Sequence, residues 1–92
     1  MNDREKLWYL INEYTKGNYN SRTFANEFSR IYDLEVDYDM IPDSENKWFY
    51  ELSEMTGRFS DNREELLIPN VYCSEEEIRK FISLMLKENN SK

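Results

Sequence analysis

The chain contains no histidine, one cysteine, two glycines and two prolines among 92 residues, and each shortage removes a class of function. Without imidazole, no side chain titrates unperturbed near neutral pH to act as general base, as partner of a nucleophile or as a nitrogen ligand for a metal. A non-enzymatic protein without cofactor or metal is therefore expected. The lone thiol, Cys73, can form no intramolecular disulfide and asks for no oxidising compartment. It lacks an obvious cationic neighbour in sequence to lower its pKa and reads as a packed thiol rather than a nucleophile. Gly17 and Gly57 alone provide no glycine-rich cradle for phosphate. No stretch approaches the ~20 apolar residues that cross a bilayer, and the charged start MNDREKLWYL lacks the apolar run of a signal peptide. A soluble protein of a bacterial cytoplasm, with no membrane partner, is the expectation.

What the chain has in quantity is acid and aromatic surface. Nineteen Asp and Glu against twelve Lys and Arg give a net charge of −7 and a pI near 4.6, which disfavours direct binding to nucleic acid and favours a basic protein as partner. Apolar residues make up 39% and aromatics 15%, a globular composition. Residues 1–92 are expected to form one domain around one core.

Four stripes of helical period organise that core. Leu7, Leu10, Ile11 and Tyr14 predict a first helix over residues 2–16, with Asn2 and Glu5 at capping-box spacing and Gly17 at the left-handed C′ position. Ser21 is placed as N-cap of a second helix reaching about residue 34, with the stripe Phe24, Ala25, Phe28, Ile31 and Tyr32. Pro42 blocks helix at Ile41, so Asp43 or Ser44 is expected to cap a third helix carrying Trp48, Phe49, Leu52, Met55, Thr56 and Phe59. Residues 60–70 read as irregular, with Leu66, Leu67 and Ile68 as a short buried segment. Ser74 and Glu77 form a second capping box before Ile78, Phe81, Ile82, Met85 and Leu86, in a last helix fraying after Glu88. The fold class expected is all-α, an antiparallel four-helix bundle in which the aromatic stripes of the second and third helices meet near the centre.

Residues 33–45, DLEVDYDMIPDSE, stand apart. Asp33, Glu35, Asp37, Asp39, Asp43 and Glu45 gather six of the nineteen acids with no Lys or Arg between Ile31 and Asn46, and a basic partner would relieve their mutual repulsion. The bland alternative is a solvated, extended linker between two helices. A calcium loop is excluded by Tyr38 where the sharp turn needs Gly and by Ser44 where a bidentate Glu belongs. Exposed Tyr and Trp beside acids compose interface anchors, with rim packing as the competing account.

The segments LINEYTKGNYNSRTFANEFSRIYD, WFYELSEMTGRFSD and YCSEEEIRKFISLMLKE together resemble the colicin D immunity family of bacterial self-protection proteins. The features carrying the resemblance are Gly17 after the first helix and the pair Phe24 and Phe28. Phe49 and Leu52 leading to Phe59 and Asp61, and Ser74 with Glu75, Glu76, Glu77 and Ile78, complete them. Residues 62–73 are only loosely like the family's. The resemblance implies a compact helical protein that binds one cognate toxin, typically a tRNA-cleaving RNase, and blocks its active site with acids standing in for phosphates.

On this reading Asp33, Glu35, Asp37, Asp39, Asp43 and Glu45, with Asp61, Glu64 and Glu65, face a toxin's Lys and Arg, while Tyr38, Trp48 or Tyr50 supplies a buried anchor. The protein would act as a monomer or in a 1:1 heterodimer with the toxin. Two other classes share the acidic surface: a phage or plasmid module that mimics nucleic acid to inhibit or regulate a DNA-binding protein, and a helical subunit of a larger assembly.

Overall fold

The computed structural model describes residues 2–90. Five helices follow in order, α1 (Asp3–Thr15), α2 (Ser21–Leu34), α3 (Asp43–Gly57), α4 (Arg63–Leu66) and α5 (Glu75–Asn90), with a 3-10 turn at Tyr38–Met40 between α2 and α3. The protein is all-α; among the described residues the only strand-like pairing is an isolated bridge between Phe59 and Cys73.

The stripes read from the sequence supply the core, except that α3 ends at Gly57, so Phe59 lies past the helix in the bridge to Cys73. Trp48, Met55, Phe59, Phe81 and Leu86 are only half-buried against that core. Leu7, Leu10, Ile11 and Tyr14 of α1 are buried, as are Phe24, Ala25, Phe28, Ile31 and Tyr32 of α2, Phe49 and Leu52 of α3, and Ile78, Ile82 and Met85 of α5. α2 packs against both α1 and α3, and α3 also meets α5. Because Phe24, Phe28 and Tyr32 recur every four residues, their rings form a row along one face of α2, with centroids 5.6 and 6.2 Å apart. Phe28 touches Phe49 of α3 at 6.2 Å, and Tyr14 of α1 stacks on Phe24 at 4.3 Å. The two aromatic stripes therefore meet as expected, and truncating a ring as enclosed as Phe49 to Ala costs about 3–5 kcal/mol.

Helix ends follow local chemistry, with several corrections. Asn2 caps α1, its side chain accepting from the Glu5 amide at 2.8 Å, and Gly17 takes φ +88° just past the helix. α2 is capped by Asn20, which accepts from the Thr23 amide at 2.7 Å. Ser21, expected in that role, is instead the first helical residue, buried with its hydroxyl 2.7 Å from the Tyr14 hydroxyl. Asn is as good a cap as Ser, and the buried Tyr14 hydroxyl needs a partner that Ser21 supplies. Neither Asp43 nor Ser44 caps α3: Asp43 is its first residue, preceded by Pro42, which offers no side-chain cap. Ser74 and Glu77 do form the reciprocal box, each accepting from the other's amide at 3.2–3.3 Å. α5 continues past Glu88 to Asn90, and the Asn89 side chain donates to the Met85 carbonyl at 2.8 Å. Ser91 and Lys92, the end of the expected polar tail, lie outside the described residues.

The region after α3 departs most from expectation. Ser60 donates its amide to the Cys73 carbonyl at 2.9 Å and Cys73 donates to Arg58 at 2.8 Å, closing residues 59–73 at the neck. Inside this excursion Asn62 caps the single turn α4, and Asn70 takes φ +64°. Leu67 is 81% and Ile68 48% exposed and Leu66 only half-buried, so the expected buried segment does not exist. One helical turn is too short to bring a stripe of its own against the core.

Candidate protein-binding face

The acidic stretch is tied down rather than extended. After α2, the amides of Glu35 and Val36 both donate to the Ile31 carbonyl, at 3.0 and 3.1 Å. The Asp37 carboxylate then accepts from the Asp39 amide at 3.1 Å, the side-chain turn that starts the 3-10 segment. Tyr38 lays its ring 5.2 Å from that of Tyr32 and donates its hydroxyl to the Tyr32 carbonyl at 2.9 Å. Ile41 is buried, and the Pro42 carbonyl accepts from Glu45 and Asn46 at 2.9 and 2.8 Å to launch α3. The solvated, extended linker read from the sequence is thus a short, clipped segment held at its start, middle and end.

The six acids on it have different surroundings. Asp33, Asp37, Asp39 and Asp43 are exposed, and among the described residues none of them forms an ion pair with Lys or Arg. Glu35 meets Arg30 at 3.1 Å. Glu45 turns inward: its Oε1 accepts from Arg4 Nε at 2.8 Å and from Trp8 Nε1 at 2.7 Å, and its Oε2 from Arg4 Nη2 at 2.8 Å. The expectation that Glu45 presents its carboxylate to a partner is corrected, because that carboxylate joins the start of α3 to α1. The hydrogen bonds that Arg4 donates to Glu45 hold the guanidinium above its ordinary pKa. Two of the six acids therefore do find counter-charges, which come from arginines outside the stretch.

Aromatic residues flank the remaining acids. Tyr38 is 47% and Tyr50 54% exposed. Trp48 is half-buried, its ring 5.5 Å from Phe81 of α5, with the Lys47 ammonium 5.9 Å above it. Tyr50 lines two shallow depressions, one floored by Trp48 and Phe81 and edged by Asp43, the other walled by Tyr32 and Tyr38 and edged by Asp33. Burial, with the neighbouring Tyr38, Asp33 and Tyr50, pushes the Tyr32 phenol up to about 12. Asp33, Tyr38, Asp43, Trp48 and Tyr50 thus share one continuous face. Leu34 and Met40, 80% and 71% exposed, add apolar contact area to the same stretch. Sequence reasoning missed both, although Leu34 falls out of register with the buried stripe of α2.

Asp61, Glu64 and Glu65 belong elsewhere. Asp61 pairs with Arg22 at 2.6 Å and Glu65 accepts from the Ser60 hydroxyl at 2.6 Å, while Glu64 stands exposed on α4. Arg22 lies in the first turn of α2 and Asp33 in the last, so eleven residues at 1.5 Å rise separate the two groups by about 16 Å along that helix. The acids anticipated as one surface form two, and of these two, among the described residues, it is the residue 33–50 face that combines unpaired carboxylates with exposed rings.

Among the described residues, no helix is long and apolar enough to cross a membrane, and no group of three or more acids or thiols is placed to hold a metal ion. Comparison with protein-family models, curated proteins and solved structures returns no match.

Proposed function

We propose that this chain is an immunity protein of the bacterial cytoplasm, built as an antiparallel four-helix bundle of α1, α2, α3 and α5, that binds and neutralises a basic nuclease toxin as a 1:1 complex. The toxin expected is a tRNA-cleaving RNase. The observation that carries the reading is the face in which Asp33, Asp37, Asp39 and Asp43 stand exposed without a cationic partner among the described residues, beside the exposed rings of Tyr38 and Tyr50. Carboxylates displayed on a clipped segment resemble a row of phosphates, and a nuclease surface evolved to grip phosphates supplies the Lys and Arg they lack. Because the segment is already fixed by Tyr38, Asp37 and Ile41, binding orders little new chain. Charge speeds the encounter, and the rings, once desolvated, slow dissociation.

The test is co-purification with the C-terminal domain encoded immediately upstream, followed by tRNA cleavage with and without this protein. Replacing Asp37 and Asp39 together with Lys should lower the association rate about tenfold at low salt. The same changes should lower the melting temperature by no more than roughly 4–8 °C, since neither carboxylate forms an ion pair among the described residues and the loss is that of the Asp37 cap on the Asp39 amide, about 1 kcal/mol. Unchanged association would remove this segment from the interface, and absence of any complex would remove the immunity reading.

A further inference from the structure

The depression between α2 and α3 has a composition that selects one kind of side chain. Its walls are three tyrosines, Tyr32 at the end of α2, Tyr38 on the 3-10 turn and Tyr50 on α3, and its rim carries Asp33 and Glu54. Among the described residues neither carboxylate forms an ion pair with a Lys or Arg of this chain; Arg58, the cation bonded to the Glu54 residue, reaches its backbone carbonyl instead, at 3.2 Å. Two of the tyrosine hydroxyls already donate within the chain, Tyr32 to Asn46 Oδ1 at 2.7 Å and Tyr38 to the Tyr32 carbonyl at 2.9 Å, so the depression offers a guest ring faces, carboxylates and hydroxyl oxygens able to accept. Those internal bonds also hold two walls in place before any ligand arrives.

The geometry points to this depression as the seat for one arginine side chain of the protein partner, its guanidinium laid against the Tyr38 and Tyr50 rings and paired with Asp33 and Glu54. This rests on the reading of the surrounding face as a protein-binding one and names what it takes. Arginine is favoured over lysine because a planar, weakly hydrated guanidinium both stacks on aromatic faces and bridges carboxylates, whereas an ammonium keeps its water and meets a ring only as a point charge. An apolar guest would leave both carboxylates unpaired under a desolvating partner, and an anion would meet two like charges. The adjoining Trp48–Phe81 floor shares Tyr50 but carries Lys47 above it, so the cation seat lies on the Tyr32 side.

The experiment titrates the full chain, followed by its tyrosine ring resonances, with the peptides acetyl-Gly-Arg-Gly-amide and acetyl-Gly-Lys-Gly-amide. Saturable shifts of the Tyr38 and Tyr50 rings are expected with the arginine peptide, at an affinity about two- to five-fold above that of the lysine peptide. Tyr50→Ala should abolish the preference for arginine and Glu54→Gln should weaken binding; both positions are exposed, and resonance dispersion checks that each variant folds. Equal shifts with both peptides, or shifts spread over all acidic surface, overturn the proposal. Against a toxin, loss of affinity in the Asp37 and Asp39 charge reversals with none in Tyr50→Ala or Glu54→Gln overturns the arginine seat while sparing the reading of the face. A seated arginine peptide with no toxin binding does the reverse.

Discussion

Replacing Glu45 with Ala tests the contact that most directly joins the two ends of the helical part before α4. The wild-type carboxylate holds a bidentate pair with Arg4 and accepts from the Trp8 indole, across 41 and 37 residues of sequence, with its side chain 14% exposed and that of Arg4 41% exposed. A hydrogen bond to a charged group contributes about 1.5–3 kcal/mol when enclosed, but the half-open guanidinium recovers water and its share falls toward the ~1 kcal/mol of a surface pair. The indole N–H is worse placed to recover, since Trp8 is half-buried with its ring 5.1 Å from Phe49, and leaving it without its acceptor costs about 1 kcal/mol more. The total is about 2 kcal/mol, which for a domain of this length lowers Tm by roughly 8–16 °C. Glu45→Gln keeps an acceptor for the indole and should lose about half as much; Arg4→Ala should lose about 1 kcal/mol. A double-mutant cycle of Arg4→Ala and Glu45→Ala, read by urea denaturation, should return a coupling of about 1 kcal/mol. A Tm within about 3 °C of wild type for Glu45→Ala would refute the reasoning, and would leave ring packing between Trp8 and Phe49 as what closes α1 onto α3.

The remaining predictions concern the core, a turn and the excursion. With the Tyr32 phenol at about 12 in the fold against an ordinary value of 10.0, the folded state keeps a proton that the unfolded chain releases. Its contribution is complete below pH ~10 and disappears as pH rises toward ~12, at about 1.4 kcal/mol per unit; alkaline denaturation of Tyr32→Phe against wild type should show that slope missing in the variant. Gly17→Ala places a Cβ that meets nothing within 4 Å but must hold φ +88°, so calorimetry should show a loss of about 1 kcal/mol from backbone strain alone. Leu67→Ser with Ile68→Ser, at positions 81% and 48% exposed, should change stability by no more than about 0.5 kcal/mol in chemical denaturation and should reduce any tendency to associate.

By itself the sequence determined the helical class and the inside of each long helix. A 3.6-residue apolar period can be buried in only one way, so Leu7 to Tyr14, Phe24 to Tyr32 and Ile78 to Met85 were legible before any contact was known. Local chemistry also wrote the caps at Asn2 and Ser74 and the left-handed turn at Gly17, because each needs only neighbours within a few residues. Tertiary structure decided which carboxylates are free. Glu45 looks in sequence like Asp43, yet it meets Arg4 from 41 residues away, and Asp61 meets Arg22 from 39 away. It also decided that Tyr32, Tyr38 and Tyr50, from two helices and a turn, wall one depression. Periodicity records which way a side chain faces along its own element. The partner it meets there depends on how distant elements pack, and no local pattern of residues encodes that.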